Sequence, residues 1–329
     1  MQKVAVIGAG KMGAMHAKAY AAMPNAELVA ICDPRLDAAE ELARTNSTRS
    51  FERIEQALRE VDPTVVDICT PTPTHIDYIK TAAAAGKHIC CEKPLARSIS
   101  QAMEAARLCE EAGVTLFVAH VLRWFPEYRR LRDLIAGGVI GETVEVRTTR
   151  CGKARPGVDH WFSNLQMSGG VVLDLMIHEF DWLRSCYGSV RRVYGKGLYN
   201  SHIPDIDYAL VTLKFDSGVI AHVEGSWARP SGFVTSVEVA GTEGLLHFRN
   251  TESKALTIER KHKGGECSED ITPPNMAVVD PYNQELEHFI GCLDAGITPD
   301  VTPEDAIEAV RICEAALRSI TTGEPVTLA

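Results

Sequence analysis

Along the first third of the chain, short apolar runs alternate with stretches whose apolar positions recur every three or four residues. Val4-Ala-Val-Ile7, Glu27 to Cys32, Val65 to Cys69, Lys87 to Cys91 and Thr115 to Ala119 have the length and composition of strands. Between them, Ala14 to Tyr20, Leu36 to Ala43 and Ile54 to Arg59 carry the helical period. So do the alanine-rich stretch up to Gly86, its expected C-terminal cap, and a segment from Ser98 or Ser100 to Gly113. Strand and helix in alternation imply a parallel sheet covered by helices on both faces.

The pattern changes near Arg123. A helix is expected over Pro126 to Ile135, ended by Gly137-Gly138. Alternating stretches follow at Thr143 to Arg150, Val190 to Leu198, Tyr208 to Phe215, Val219 to Trp227, Val234 to Ala240 and Leu245 to Phe248. Asp216-Ser-Gly218 and Gly241-Thr-Glu-Gly244 read as hairpin connections between them. One helix interrupts the strands, from about Gly170 to Tyr187. Two more close the chain, Asn283 to Asp294 and Pro303 to Thr321. The expectation is a contiguous division: an α/β domain at 1–122 and an α+β domain at 123–329. The second carries a large, mostly antiparallel open sheet, and its terminal helix is free to pack back on the first. The sheet face not covered by helices is expected to be either wet or, as the size of the sheet favours, an interface between copies of the chain.

Composition narrows the function. A chain of 329 residues is long for one core, and 45% hydrophobic with 24% charged residues is ordinary for a globular protein. The net charge of -10 argues against a nucleic-acid surface, which draws its affinity from Lys and Arg. Ten cysteines stand singly apart from Cys90-Cys91, with no C-x-x-C pair. No zinc site or disulfide framework is expected, and a reducing cytoplasm is. The first strand begins almost at residue 1, leaving no room for a signal peptide, and no apolar run approaches membrane-spanning length.

Candidate chemistry starts at Gly8-Ala-Gly10-Lys-Met-Gly13, a G-x-G-x-x-G that follows a strand and opens a helix. Gly8 permits the tight turn. Gly10 leaves bare backbone for a pyrophosphate, and Gly13 lets the helix pack close to the strand. The second strand runs into Asp33, 20 residues past Gly13, where a carboxylate can accept both hydroxyls of an adenosine ribose. The first domain therefore reads as a Rossmann domain, doubly wound and parallel. Asp33 repels a 2′-phosphate and favours NAD; Arg35 beside it keeps NADP as the alternative. The strand ends carry Gly8, Asp33, Thr70-Pro71, Glu92-Lys93-Pro94 and His120, along the edge where ligands of open α/β sheets bind.

Lys93, in a tight turn at a strand end, can polarise a carbonyl or shuttle a proton; a solvated surface lysine is the plainer reading. The proline after it is a candidate for a cis bond. Asp174, His178 and Asp181 recur at helical spacing among apolar residues. A carboxylate beside a histidine fixes its tautomer and raises its basicity, as removal of a hydroxyl proton requires. The same spacing also suits a core histidine satisfied by Asp174, with Asp181 a structural partner. The stripe has no further ligand to make a metal site, and none is expected.

Gly8 to Gly13, Asp33, Thr70-Pro-x-x-x-His75, Glu92-Lys93-Pro94 and Gly-Gly-x-x-x-Asp174-x-x-x-His178-x-x-Asp181 occur in that order. Together they resemble the Gfo/Idh/MocA oxidoreductases over essentially the whole chain. The resemblance implies an N-terminal Rossmann domain, a C-terminal domain with an open sheet that mediates dimers or tetramers, and a nicotinamide cofactor. It implies oxidation of a ring hydroxyl of a sugar or cyclitol, with an inositol 2-dehydrogenase-like activity nearest. Carried over, Lys93 would contact the reacting oxygen, Asp174 would hold Lys93 and substrate hydroxyls, and His178 would be the general base. The cofactor would meet Gly8, Gly10, Lys11, Met12, Gly13, Asp33, Arg35, Thr70, Pro71, Thr72, His75, Glu92 and Lys93. Arg123, Asp159 and His160 would join Asp174 and His178 at the substrate. Lys153, Arg155 and, on weaker grounds, Tyr282 could border it. A basic fringe of that kind suits an anionic sugar such as a uronate or sugar phosphate, the alternative substrate class. A non-catalytic nucleotide-binding regulator on the same fold is the rival class; it has no need of the Lys93, Asp174 and His178 set.

Overall fold

The alternating first third folds as β1 (Gln2–Ile7), α1 (Lys11–Ala22), β2 (Ala26–Cys32), α2 (Leu36–Thr45), β3 (Arg49–Phe51) and α3 (Ile54–Glu60). It continues through β4 (Val65–Ile68), α4 (His75–Ala84), β5 (His88–Glu92), α5 (Ile99–Glu111) and β6 (Leu116–Ala119). Next come α6 (Pro126–Ala136), β7 (Thr143–Lys153), α7 (Leu165–Ser168), a π-helical turn at Val172–Met176 and α8 (Ile177–Tyr187). The strands β8 (Val190–Leu198), β9 (Tyr208–Phe215), β10 (Ile220–Arg229), β11 (Val234–Gly241), β12 (Gly244–Arg249), β13 (Leu256–Lys261) and β14 (Cys267–Thr272) follow. The chain closes with α9 (Pro281–Ala295), α10 (Pro303–Thr322) and β15 (Val326–Thr327). The computed structural model describes residues 1–153, 161, 164–198, 208–230, 232–252, 256–261, 267–272 and 280–328. Two compact units form, Met1–Val121 with Val279–Val310 and Leu122–Val278 with Arg311–Ala329.

In the first unit six parallel strands lie in the order β3-β2-β1-β4-β5-β6. Val4 to Ile7, Val65, Val66, Ile68 and Leu116 to Ala119 are all buried, as strands covered on both faces must be. The strand β3, Arg-Ser-Phe, carries no apolar run and is absent from the sequence reading; it adds to the open edge of β2. The far segment supplies α9, which packs against α1. Phe289 stacks on Phe117 of β6 at 5.1 Å between ring centroids. Both rings are fully buried, each burial worth about 1.5–3 kcal/mol.

In the second unit nine strands lie in the order β14-β13-β12-β11-β7-β10-β9-β8-β15. All pairings are antiparallel except β7 with β10. The expected six strands are present. The additions, β13, β14 and β15, are polar or very short and carry little periodic signal. Along β9, Ala209, Val211, Leu213 and Phe215 are buried while Leu210 is exposed, the alternation of a sheet packed on one face. Cross-strand register puts Tyr194, Leu198, Leu210 and Ile220 together on the other face, and all four are exposed. Among the described residues, no helix is long and apolar enough to cross a membrane.

Candidate active site

At the end of β1 the chain turns at Gly8, whose φ of +105° strains any residue with a Cβ. A Cβ there would also lie 2.6 Å from the carbonyl oxygen of Cys69. At Gly13 a Cβ would collide with the carbonyl oxygen of Gly8, so the start of α1 rests directly on the turn. Gly10 is different: a Cβ there would meet nothing. It is the N-cap of α1 and supplies no side-chain cap, and no acidic residue occupies the first turn, where Lys11 and Met12 stand. The first-turn N–H groups and the positive end of the helix dipole thus meet neither a side-chain cap nor a first-turn carboxylate. Asp33, at the end of β2, accepts the Ala9 N–H through Oδ2 at 2.8 Å and the Arg35 N–H through Oδ1 at 2.9 Å. The Arg35 guanidinium lies largely in solvent, with Nε 3.3 Å from Asp33 Oδ1. A bare-backbone turn, an open glycine, an uncapped helix start and a carboxylate at the next strand end fit a dinucleotide.

Two further loops of the same unit carry expected residues. Thr70 and Pro71 lead into a tight turn at Thr72–Thr74, and Thr74 Oγ1 bonds the Pro71 carbonyl at 2.7 Å. His75 opens α4 almost fully buried, with Nε2 2.8 Å from the Thr70 carbonyl oxygen and Nδ1 2.9 Å from that of Pro94. Its imidazole therefore ties the Thr70 loop to the Glu92-Lys93-Pro94 turn, and burial pushes its pKa down. The Lys93–Pro94 bond is cis. The Lys93 N–H donates to Glu92 Oε2 at 3.0 Å. The other Glu92 oxygen lies 3.3 Å from Nε2 of His16, an ion-pair contact without hydrogen-bond alignment. His16 Nδ1 is 2.8 Å from Asp67 Oδ2. The sequence reading missed this buried polar set; a histidine facing inward from an alanine-rich helix was its one signal.

The second unit carries the acid and histidine. The helix expected from Gly170 to Tyr187 is present, and it widens into a π-helical turn over Val172–Met176. Asp174 lies inside the π-helical turn and His178 at the start of α8, the kind of local widening frequent at functional sites. Asp174 is buried and His178 half-buried. The turn fits because Gly225 of β10 is bare: a Cβ there would collide with the Met176 side chain and approach Val171 Cγ2 to 3.2 Å. Cys313 Sγ lies 3.6 Å from the Val172 carbonyl oxygen, within reach of an acceptor that the wider turn leaves over.

Two buried ion pairs hold α8. Arg123 Nε and Nη2 donate to the two carboxylate oxygens of Asp181 at 2.7 and 2.6 Å. Arg150 Nε lies 2.8 and 2.7 Å from the two oxygens of Glu179. Burial pushes the Glu179 carboxyl up, against the pull of Arg150. Asp181 thus leaves the expected chemical stripe for an anchoring role, and Arg123, expected at the substrate, turns that edge of its guanidinium to Asp181. The Arg150–Glu179 pair is a second anchor that sequence reading missed. A cavity of about 310 Å³ beside Arg150 is lined by Phe125, Tyr128, Phe233 and Phe248 but not by Asp174 or His178. Lys153 is exposed at the end of β7. Tyr282 lies in the first turn of α9, its N–H bonded to Asp280 Oδ1 at 3.0 Å. Asp159, His160 and Arg155 lie outside the described residues.

Comparison with known proteins agrees with this geometry. Residues 2–120 match the Gfo/Idh/MocA oxidoreductase family model, described as an NAD-binding Rossmann fold. Residues 128–247 match the Gfo/Idh/MocA C-terminal domain model. The chain is 33% identical to the scyllo-inositol 2-dehydrogenase (NAD(+)) of Bacillus subtilis, over 99% of this chain and 96% of that protein. It is 28% identical to the myo-inositol 2-dehydrogenase of Thermotoga maritima, over 97% and 96%. Among solved structures, GenD2 from gentamicin A biosynthesis in complex with NAD superimposes with a TM-score of 0.88 at 27% identity, covering 100% of this chain and 96% of that one.

Proposed function

The chain belongs to the Gfo/Idh/MocA oxidoreductase family, and from that premise we propose that it is an NAD-dependent dehydrogenase of a secondary ring alcohol on a cyclitol or sugar. The observation that carries the reading is the placing of Asp174 in the π-turn and His178 four residues on at the start of α8, in a chain whose first unit carries a turn shaped for a dinucleotide. Full-length similarity to inositol dehydrogenases supports the substrate class.

In this reading the first-turn N–H groups of α1 hold the pyrophosphate against Gly10, and Asp33 receives the adenosine ribose. The cofactor, when bound, supplies the hydride acceptor of the oxidation and the donor of the reduction. His178 takes the substrate hydroxyl proton on its imidazole. Asp174 orients that imidazole and a neighbouring hydroxyl. Lys93 steadies the developing alkoxide through its Nζ. The negative charge of Asp33 selects against a 2′-phosphate, so NAD is preferred to NADP. The sheet face that carries the exposed Tyr194, Leu198, Leu210 and Ile220 joins copies of the chain, which light scattering on the purified protein tests.

The anionic-sugar alternative loses weight with Arg123, whose Nε and Nη2 serve Asp181. The test is NADH absorbance with scyllo-inositol, myo-inositol, aldoses, uronates and nucleotide sugars. We expect turnover on a cyclitol or neutral sugar, and a drop of about 100-fold or more in His178→Ala. Wild-type turnover in that variant refutes the base. Silence across the panel with NAD still bound moves the reading to a regulator.

A further inference from the structure

His16 stands on α1 just after Gly13, fully buried against the sheet where Ala17 and Tyr20 are its buried neighbours. Packing a helix on a sheet needs no ionisable group there, and each buried charge costs several kcal/mol unless it is answered. Asp67 in β4 lies at Nδ1 and Glu92 at the end of β5 lies at Nε2, both carboxylates themselves buried. A neutral ring can donate from one nitrogen only and would turn a lone pair toward the other carboxylate. An imidazolium answers both. Cys69 Sγ, 3.3 Å from Nδ1 and 3.6 Å from Asp67 Oδ1, completes the set. Burial pushes the Cys69 thiol up, against the pull of His16. The other titratable groups facing the cluster are Tyr20 on α1, His75 on α4, and Cys90 and Cys91 on β5, with Glu285 on α9 behind Cys90.

We propose that His16 is a positioning residue: held as an imidazolium between Asp67 and Glu92, it fixes the Glu92 carboxylate and, through Oε2, the backbone of Lys93. Asp67 Oδ2 is hydrogen-bonded to His16 Nδ1, the charge of the ring meets Glu92 Oε1 as an ion-pair contact at 3.3 Å from Nε2, and Glu92 Oε2 accepts the Lys93 N–H. His75 grips the other side of the same turn at the Pro94 carbonyl. His16 also belongs to the helix that opens at Gly10, so that helix and the Lys93 turn move as one piece. That Lys93 serves catalysis rests on the function proposed above; that His16 sets its turn does not.

The experiment uses the full-length protein labelled with 15N. Without ligand near neutral pH, the wild-type His16 ring should show both nitrogens protonated, and the Lys93 amide should exchange slowly. In His16→Gln that exchange should accelerate about tenfold or more, while amides of β1 and β2 stay near wild type. Buried Ile79→Val is the control for general loosening and should leave Lys93 protected. With NAD+ and scyllo-inositol, His16→Gln should lower kcat about 100-fold with KM nearly unchanged, the mark of a displaced group and not of lost binding. A pH ramp on the wild type needs no variant. Corrected for intrinsic exchange, Lys93 protection and the second ring N–H should persist or vanish together. A bare ring nitrogen in the wild type, unchanged Lys93 protection in His16→Gln, or independent titration of the two overturns the proposal. A wild type that binds NAD but oxidises nothing sinks the dehydrogenase reading, and the exchange result still decides the role of His16.

Discussion

The Arg123–Asp181 pair allows a sharp test of whether Arg123 anchors α8 or binds substrate. Both N–H···O distances, 2.7 and 2.6 Å, are those of a two-pronged charge-assisted bond. The Asp181 side chain is 0% exposed and that of Arg123 7%, so solvent screening discounts little of the interaction. Arg123→Met leaves a carboxylate buried without its guanidinium, at a cost of about 3–5 kcal/mol. For a unit of this size each kcal/mol lowers the melting temperature by about 2–4 °C, so the expected drop is roughly 6–20 °C. Asp181→Leu strands the arginine and should fall in the same range. The double variant removes both charges and should be more stable than Arg123→Met alone, a coupling that calorimetry on the four proteins measures. Arg123→Met should lose stability before it loses substrate affinity. If instead its melting point stays within about 2 °C of wild type while KM for the alcohol rises, the guanidinium belongs to the substrate and the anchoring argument is wrong.

Three other outcomes follow from the same geometry. Gly225→Ala should push Met176 and the π-turn off the sheet, costing about 1–3 kcal/mol and lowering kcat; a second change, Met176→Ala, should restore part of both in melting and rate measurements. Asp33→Ser removes the carboxylate that would face a 2′-phosphate and should shift the kcat/KM ratio toward NADP by about 10- to 100-fold. Stability should depend on pH with opposite signs at two histidines. Burial pulls the His16 pKa down, but Cys69 and Asp67 at Nδ1 outweigh it and hold it well above the ordinary histidine value. Its contribution is then complete below about pH 6.5 and is lost as pH rises through the raised value. Burial depresses the pKa of His75, so its contribution is present above about pH 6.5 and lost as pH falls through the lowered value. Urea midpoints across pH should show the alkaline loss disappear in His16→Gln.

The parallel sheet was legible because strands buried on both faces are written as unbroken apolar runs, and Val4 to Ile7 or Leu116 to Ala119 admit little else. The glycine turn was legible because strand, turn and helix start follow one another in a single stretch, with Gly13 resting on Gly8 five positions back. Interactions between distant segments were not. Nothing in the spacing of Asp174, His178 and Asp181 reveals that Arg123 takes the third, or that Glu179, one residue past the histidine, meets Arg150. The π-turn escaped for the same reason: the bare backbone it packs against, at Gly225, lies far along the chain in β10. His16 carries no signal of its own in an alanine-rich helix, since its partners come from β4 and β5. Edge strands β3 and β15 add backbone pairing with almost no side-chain signature.

The stack of Phe289 on Phe117 joins residues 172 positions apart in the chain. A ribosome making this protein releases every strand of the nucleotide-type sheet long before it reaches the helix that covers β6. Until then the nascent sheet offers Phe117 and its neighbours to chaperones or to other unfinished chains. Cutting the gene after the first sheet should therefore give a sticky fragment, and supplying the 279–310 peptide separately should cure the stickiness.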